Sequence, residues 1–273
     1  MKKLLLLALA VSAGIGSYAQ QKDKKTAKKE RIEARMKLAE ENDPPFKKHS
    51  IFGLKLNSDG YGIAYESGKY ITARKTRLLQ FELNEKFHPK EEKVSSLPDA
   101  FGNVTHLKFG KANNFFQFKA GYGQQRLIGG KANKNGVAVS ALYAGGLSLG
   151  ILKPYYVDVE DANNGNERIR YKFSDSIPAS SSYNIVGASG FGAGWGEAKF
   201  KPGIHAKTAL RFDYGRFNET VTAIEAGVNI EYYTSEILQM TFPTQIGPNP
   251  PFISKENKLF FNAYISIEFG RRK

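Results

Sequence analysis

The chain has 273 residues, is 41% hydrophobic, holds 19 Phe, 14 Tyr and 27 Gly, and carries a formal charge of +14. It has no cysteine, which excludes disulfides, thiolate metal sites, a cysteine nucleophile and a lipid-modified N-terminal Cys. The charge alone suits nucleic acid, an anionic lipid surface or simple solubility, so it selects a partner only once the compartment is known.

The N-terminus supplies that compartment. Lys2 and Lys3 precede a short apolar run, Leu4–Val11, and Ser17-Tyr18-Ala19 places small residues where a signal peptidase needs them. Residues 1–19 therefore read as a secretory signal peptide cut before Gln20. The apolar run is too short to span a bilayer, and no later segment offers the roughly 20 apolar residues of a transmembrane helix. An exported chain rarely meets nucleic acid, so none is expected as a partner.

Residues 20–50 read as a basic helical arm in the periplasm. Lys22–Asn42 lacks Gly and Pro and is rich in helix formers, and Asn42-Asp43-Pro44-Pro45 stops it. Between Lys22 and Lys48 ten Lys/Arg oppose six Asp/Glu, a net +4, while Ile32, Met36 and Leu38 are too few for a core-packing stripe. The arm is either a solvated spacer or a segment that touches lipid headgroups or a partner protein.

From residue 51 to 273 the pattern changes to period-2 alternation broken by Gly- and Asn-rich turns. The first strand reads as Phe52–Glu66 with a parity slip near Asn57–Gly60, which a bulge would produce. Next come Thr76–Phe87, a short stretch at Val104–Phe109, and Asn114–Leu127 with Phe116, Phe118, Ala120 and Tyr122 on one face. Val137–Ile151 sets Val, Tyr and Leu against a face of Ala, Ser and Gly, as a crowded interior requires. Ile204–Tyr214, Thr220–Tyr233 and Lys258–Arg272 complete the series. In the last, Leu259, Phe261, Ala263, Ile265, Ile267 and Phe269 share one parity, with Phe260 the misfit.

Runs of 11 to 15 residues exceed the usual five or six of soluble strands and match what a tilted strand needs to cross hydrocarbon. The reading is an all-β, closed antiparallel transmembrane β-barrel of about eight strands, with ten as the alternative count. Long extracellular loops are expected around 153–199 and 236–257, and both termini on the periplasmic side.

At eight strands, side chains fill the interior. The inward parity collects Lys55, Lys119, Lys207 and Arg211 with Glu82, Asp213, Glu225, Glu231 and Glu268, which are expected to pair as a structural ion network, since lone charges there would be costly. No catalytic residue, metal site or cofactor is assigned. Gly187–Gly196 lacks the Lys-Ser/Thr of a phosphate loop, and Gly187-Ala188-Ser189-Gly190-Phe191 fails the nucleophile elbow at its fifth position. His49, His88, His106 and His205 lack metal-pair spacing. His205 with a loop serine is the best catalytic candidate, placed near the outer rim. Trp195, the sole Trp, is read as an interfacial anchor, a packed loop core or a ligand platform.

Taken together, Tyr18-Ala19-Gln20, the block Gly53-Leu54-Lys55-Leu56-Asn57-Ser58-Asp59-Gly60 and the block Gly146–Tyr156 give a chain that resembles small outer-membrane β-barrel proteins of Bacteroidetes-type bacteria. The resemblance implies a barrel group in which some relatives serve secretion or outer-membrane assembly machines, and it transfers no site residue. The expected role is a non-enzymatic structural or accessory subunit of an outer-membrane complex, with outer-membrane lipid and other proteins as partners. A narrow solute or ion transporter and a lipid-A-modifying barrel enzyme stand as alternatives.

Overall fold

The computed structural model describes residues 46–96, 98, 102–131, 136–161, 167–173, 183–215, 219–243 and 252–273. The expected signal peptide over 1–19 and the expected helix over Lys22–Asn42 lie outside them. In chain order the strands are β1 (Lys48–Asn57), β2 (Gly60–Thr72), β3 (Lys75–Lys86), β4 (Lys93–Ser95), β5 (His106–Lys108), β6 (Asn113–Gly129) and β7 (Ala138–Pro154). There follow β8 (Tyr156–Asp161), β9 (Glu167–Lys172), β10 (Tyr183–Ala188), β11 (Lys199–Asp213), β12 (Thr220–Pro243) and β13 (Phe252–Arg272).

Eight of these strands close into an antiparallel barrel in the order β1-β13-β12-β11-β7-β6-β3-β2. Closure removes both sheet edges. The first and last strands make the seam, with Phe52 opposite Phe269 and Leu54 opposite Ile267. Beside it, the Lys47 and Lys48 amides donate to the Lys273 carbonyl at 2.7 and 2.8 Å. Both ends of the barrel segment therefore lie at one rim, with the links β2–β3, β6–β7 and β11–β12. The links β1–β2, β3–β6, β7–β11 and β12–β13 lie at the other.

Two readings of the sequence need correction. The run from Phe52 to Glu66 is a hairpin and not one bulged strand: β1 turns through Asn57-Ser58-Asp59-Gly60 and returns as β2, with Asn57 opposite Gly60. Gly60 has φ 157°, and a Cβ there would stand 1.9 Å from the Glu85 carbonyl oxygen. Only glycine lets this turn sit so close to β3. Val104–Phe109, in turn, contributes no strand to the barrel. Its central residues form β5, which pairs only with β4 in a separate hairpin.

The loops also differ from expectation. The region 153–199 contains a three-stranded sheet of order β10-β8-β9, packed through Tyr155, Val157, Val159 and Phe173 onto Leu107 of β5. The loop expected over 236–257 is shorter, because β12 continues to Pro243 and β13 begins at Phe252. The barrel itself starts at Lys48 and not at residue 51.

Alternation decides which side chains fill the barrel. On β13, Asn262, Tyr264, Ser266 and Glu268 are buried, while Leu259, Phe261, Ile265, Ile267 and Phe269 are exposed. On β11, Gly203, His205, Lys207, Ala209, Arg211 and Asp213 are buried and their neighbours exposed. The interior is layered. Ile51, Val221 and Ala223 form one apolar patch and Leu78, Leu142, Ala209 and Tyr264 a second. Phe115, Leu152, Tyr233 and Ile237 form a third towards the loop-rich rim, with Phe260 packed against it. The parity misfit Phe260 thus belongs to an aromatic layer, 5.5 Å from Phe115 and 5.8 Å from Tyr233 between ring centres. Over this layer the β3–β6 connection is pinned to β12: Ala112 N donates to the Gln239 carbonyl at 2.9 Å, and Thr241 N to that of Gly110 at 2.7 Å.

Candidate functional site

The densest chemistry lies between these apolar layers, where strands from opposite walls project charged side chains inward. At its centre Arg211 of β11 reaches Glu66 of β2 through Nη1 at 2.7 Å and Nη2 at 2.8 Å. It also donates through Nη2 to Glu225 of β12 at 2.8 Å and to Glu268 of β13 at 3.1 Å, with Nε 2.6 Å from the other Glu268 oxygen. A planar guanidinium with five donors suits such divergent acceptors. Gln80 donates to Glu66 at 2.6 Å, and His49 Nε2 lies 2.9 Å from it.

One layer on, Lys207 joins Glu225 at 3.3 Å to Glu82 at 3.1 Å. Glu82 also accepts from Lys55 at 2.9 Å and Lys119 at 3.3 Å. The Lys55 ammonium sits 3.7 Å from the centre of the Tyr264 ring, whose hydroxyl donates to Glu225 at 2.5 Å. Lys119 continues to Glu231 at 2.6 Å, which also takes Lys86 at 2.9 Å and Gln117 at 2.6 Å. Lys86 closes the chain on Asp59 in the β1–β2 turn at 2.8 Å. Asp213 stands apart near the rim where β1 begins and β13 ends, bonded by Arg272, by Lys131 at 3.1 Å and by the Gly215 amide at 2.9 Å.

Of the residues read from parity, Lys55, Glu82, Lys119, Lys207, Arg211, Glu225, Glu231 and Glu268 meet in one buried chain of contacts, and Asp213 belongs to a separate cluster. Glu66, Lys86, His49 and Asp59 were missed. Lys86 shares the parity of Glu82, so its signal was present. Glu66 could be placed only once the hairpin is recognised, because the assumed bulge hid its parity. In the main chain of contacts five buried cations (Lys55, Lys86, Lys119, Lys207, Arg211) face five buried glutamates (Glu66, Glu82, Glu225, Glu231, Glu268). Asp59, less buried in the β1–β2 turn, adds a sixth carboxylate, and burying such charges is tolerable only when they are paired.

His205 is not at the rim beside a loop serine. It is buried in mid-strand, and its Nδ1 lies 3.0 Å from Ser148 Oγ on β7. Among the described residues no group of three or more His, Asp or Glu is arranged to hold a metal ion.

Trp195 lies in a short 3-10 turn, Trp195–Glu197, in the long β7–β11 connection. It folds down onto the outside of the barrel and stacks on Phe116 of β6, 5.5 Å between centres and 22° between planes. Phe191 packs edge-on against both rings. In the β3–β6 connection, Glu91 accepts from Lys111 at 2.5 Å and pairs with Lys108. Burial opposes its charge, but these two lysines prevail and hold its carboxyl below the usual value.

No protein-family model and no curated protein matches the chain. Among solved structures it is similar to Neisserial surface protein A, at 9% identity over 83% of this chain and 95% of that one, with a TM-score of 0.36. It is also similar to Ail, the attachment invasion locus protein of Yersinia pestis, at 10% identity over 84% of this chain and 99% of that one, with a TM-score of 0.38. Neither lends this chain a site residue.

Proposed function

We propose that the chain is a non-enzymatic β-barrel of the outer membrane, with a sealed interior, that serves as a structural or accessory subunit of an outer-membrane complex. One observation carries the reading: the wall is apolar outside and ion-paired inside. Leu147 is 70% exposed, Leu56 69% and Phe261 67%, and such side chains recur on every strand of the ring. Soluble monomers rarely expose apolar patches beyond a few hundred Å², whereas a lipid-facing wall requires them. The uncharged outward run Leu259–Phe269 spans the roughly 9–11 residues that cross hydrocarbon.

Orientation follows from the connections. The two ends of the barrel segment, Lys48 and Arg272, share a rim with the β2–β3, β6–β7 and β11–β12 links, which suits barrels whose short turns face the periplasm. The β8–β10 sheet then stands outside the cell, where it offers a surface to a partner protein. An eight-stranded barrel is about wide enough for side chains to fill or for one small ligand, and here the pairs described above occupy it.

Two measurements test the reading. Planar bilayers with the purified protein should show no steady current, and an open current would favour a narrow transporter. Affinity purification of the full chain from mildly solubilised membranes should recover a partner that a variant lacking residues 22–45 loses. Recovery of the barrel alone in both cases would remove the subunit role.

A further inference from the structure

Lys153 is anomalous among the cations of this barrel. By parity it points outward from β7, on the same face as Leu147, Leu149 and Ile151, yet it is only 4% exposed. The β7–β11 connection covers it. The ammonium lies 4.7 Å from the centre of the Phe191 ring and 5.4 Å from that of Trp195, and donates to the Phe191 carbonyl at 2.7 Å. An ammonium has three donors, and that carbonyl is its one hydrogen-bond acceptor among the described residues. Each interior lysine and Arg211, by contrast, has a carboxylate within 2.9 Å or, for Lys207, 3.1 Å.

Beside this ammonium is a cavity of about 140 Å³, lined by Lys153, Asn114, Glu85, Ser189, Phe116 and Phe191 among others. Asn114 is the cross-strand partner of Lys153, and Glu85 that of Phe116. Glu85 accepts from the Tyr61 hydroxyl at 2.7 Å, which leaves a carboxylate capacity of several further bonds. The roof is held in place, since Trp195 stacks on Phe116 and its Nε1 donates to the Phe191 carbonyl at 3.0 Å. Below the cavity the same face is apolar through Phe118, Leu149 and Leu147. The cavity thus sits where the outward apolar band ends, at the loop-rich rim.

We infer that this roofed cavity on the outer wall binds the headgroup of a membrane lipid, with its phosphate on Lys153 and Asn114 and an amine or hydroxyl of the headgroup on Glu85. The acyl chains would run down the wall over Phe118 and Leu147, both exposed. A covered ammonium with no carboxylate in ion-pair contact among the described residues makes a charge-assisted hydrogen bond to phosphate, roughly twice as strong as a neutral one. The adjoining carboxylate selects a headgroup that also carries donors, and the apolar wall below selects a lipid over a soluble phosphate ester. The inference rests on the outer-membrane reading above.

Trp195, the only Trp of the chain, reports on the site directly. The mature full-length protein, in a neutral sugar-headed detergent, is titrated with phosphatidylethanolamine, with diacylglycerol of the same chains, and with soluble phosphoethanolamine. Phosphatidylethanolamine should give a saturable change in Trp emission, weakened about tenfold or more by Lys153→Gln and retained by Lys153→Arg. An equal response to diacylglycerol, or a Lys153→Gln protein that titrates like the wild type, would overturn the inference. Soluble phosphoethanolamine saturating at the same concentration would overturn the lipid assignment. Should Lys153→Gln not fold, Asn114→Leu is expected to show the same weakening, and wild-type titration by it would count against the site. Heat-modifiable migration and protease protection in vesicles separately report insertion. A barrel that inserts without headgroup selectivity sinks this inference alone, whereas a chain that fails to insert sinks the outer-membrane reading.

Discussion

Arg211 shows how much a single side chain holds in this interior. It bonds Glu66, Glu225 and Glu268, from three different strands. Arg211→Met would leave those carboxylates without their shared cation, and removal of one member of a buried pair costs about 3–5 kcal/mol. The urea midpoint of refolding in micelles should fall accordingly. Arg211→Lys should recover only part of the loss, because an ammonium cannot span the diverging acceptors. Glu91 makes a pH-dependent contribution outside the barrel. Its carboxyl titrates below the ordinary 4.5, so its ionised form favours the fold; the contribution is complete above that value and fades as the pH falls below it. Limited proteolysis of the β3–β6 connection should therefore accelerate on acidification, and Glu91→Gln should make the connection equally labile at neutral pH.

Among the elements, the β1–β2 hairpin depends most on one residue. Gly60 combines a backbone conformation unfavourable to L side chains with a close approach to the Glu85 carbonyl. Gly60→Val should therefore cost more than about 1 kcal/mol, seen as a lower yield of heat-modifiable barrel. The turn also carries Asp59, which caps the inward chain of contacts through Lys86, so a displaced turn would take from Lys86 one of its two carboxylates and leave it Glu231 alone. The β12–β13 pair is longer than the wall needs, at 24 and 21 residues. Its excess provides the edge against which the β3–β6 connection is bonded, through Gly110, Ala112 and the Lys111–Met240 bridge.

For the whole molecule, the outward wall makes the sharpest distinction between a membrane and an aqueous home. Leu147→Arg replaces an already exposed residue. On a soluble barrel that change would be nearly neutral, but at the lipid face it should cost about 2–4 kcal/mol if Leu147 lies near the midplane. Refolding into vesicles measures the difference, and an unchanged stability would argue against the membrane. The balanced interior acts at the same scale. With Lys55, Lys86, Lys119, Lys207 and Arg211 each answered by a carboxylate inside the ring and aromatic rings layered above, the barrel gains rigidity in place of a conduit, which suits a part that other proteins contact.

The alternation that places side chains inside or outside is a local property of period two, and the sequence alone determined it for β3, β6, β7, β11, β12 and β13. The parity set of buried charges was legible for the same reason, as was the contrast of short and long connections. Tertiary structure decided what depends on contacts distant in the chain. Asn57-Ser58-Asp59-Gly60 is compatible locally with a bulge or a turn, and only pairing of β1 with both β2 and β13 distinguishes them. A ring of eight was expected, yet it is reached by splitting one run and dropping another. Glu66 joins Arg211 across 145 positions, a separation over which no local pattern carries information. Lys153 likewise reads as an outward-facing lysine until the loop bearing Phe191 and Trp195 folds over it, because burial is set by what covers a residue and not by the residue itself.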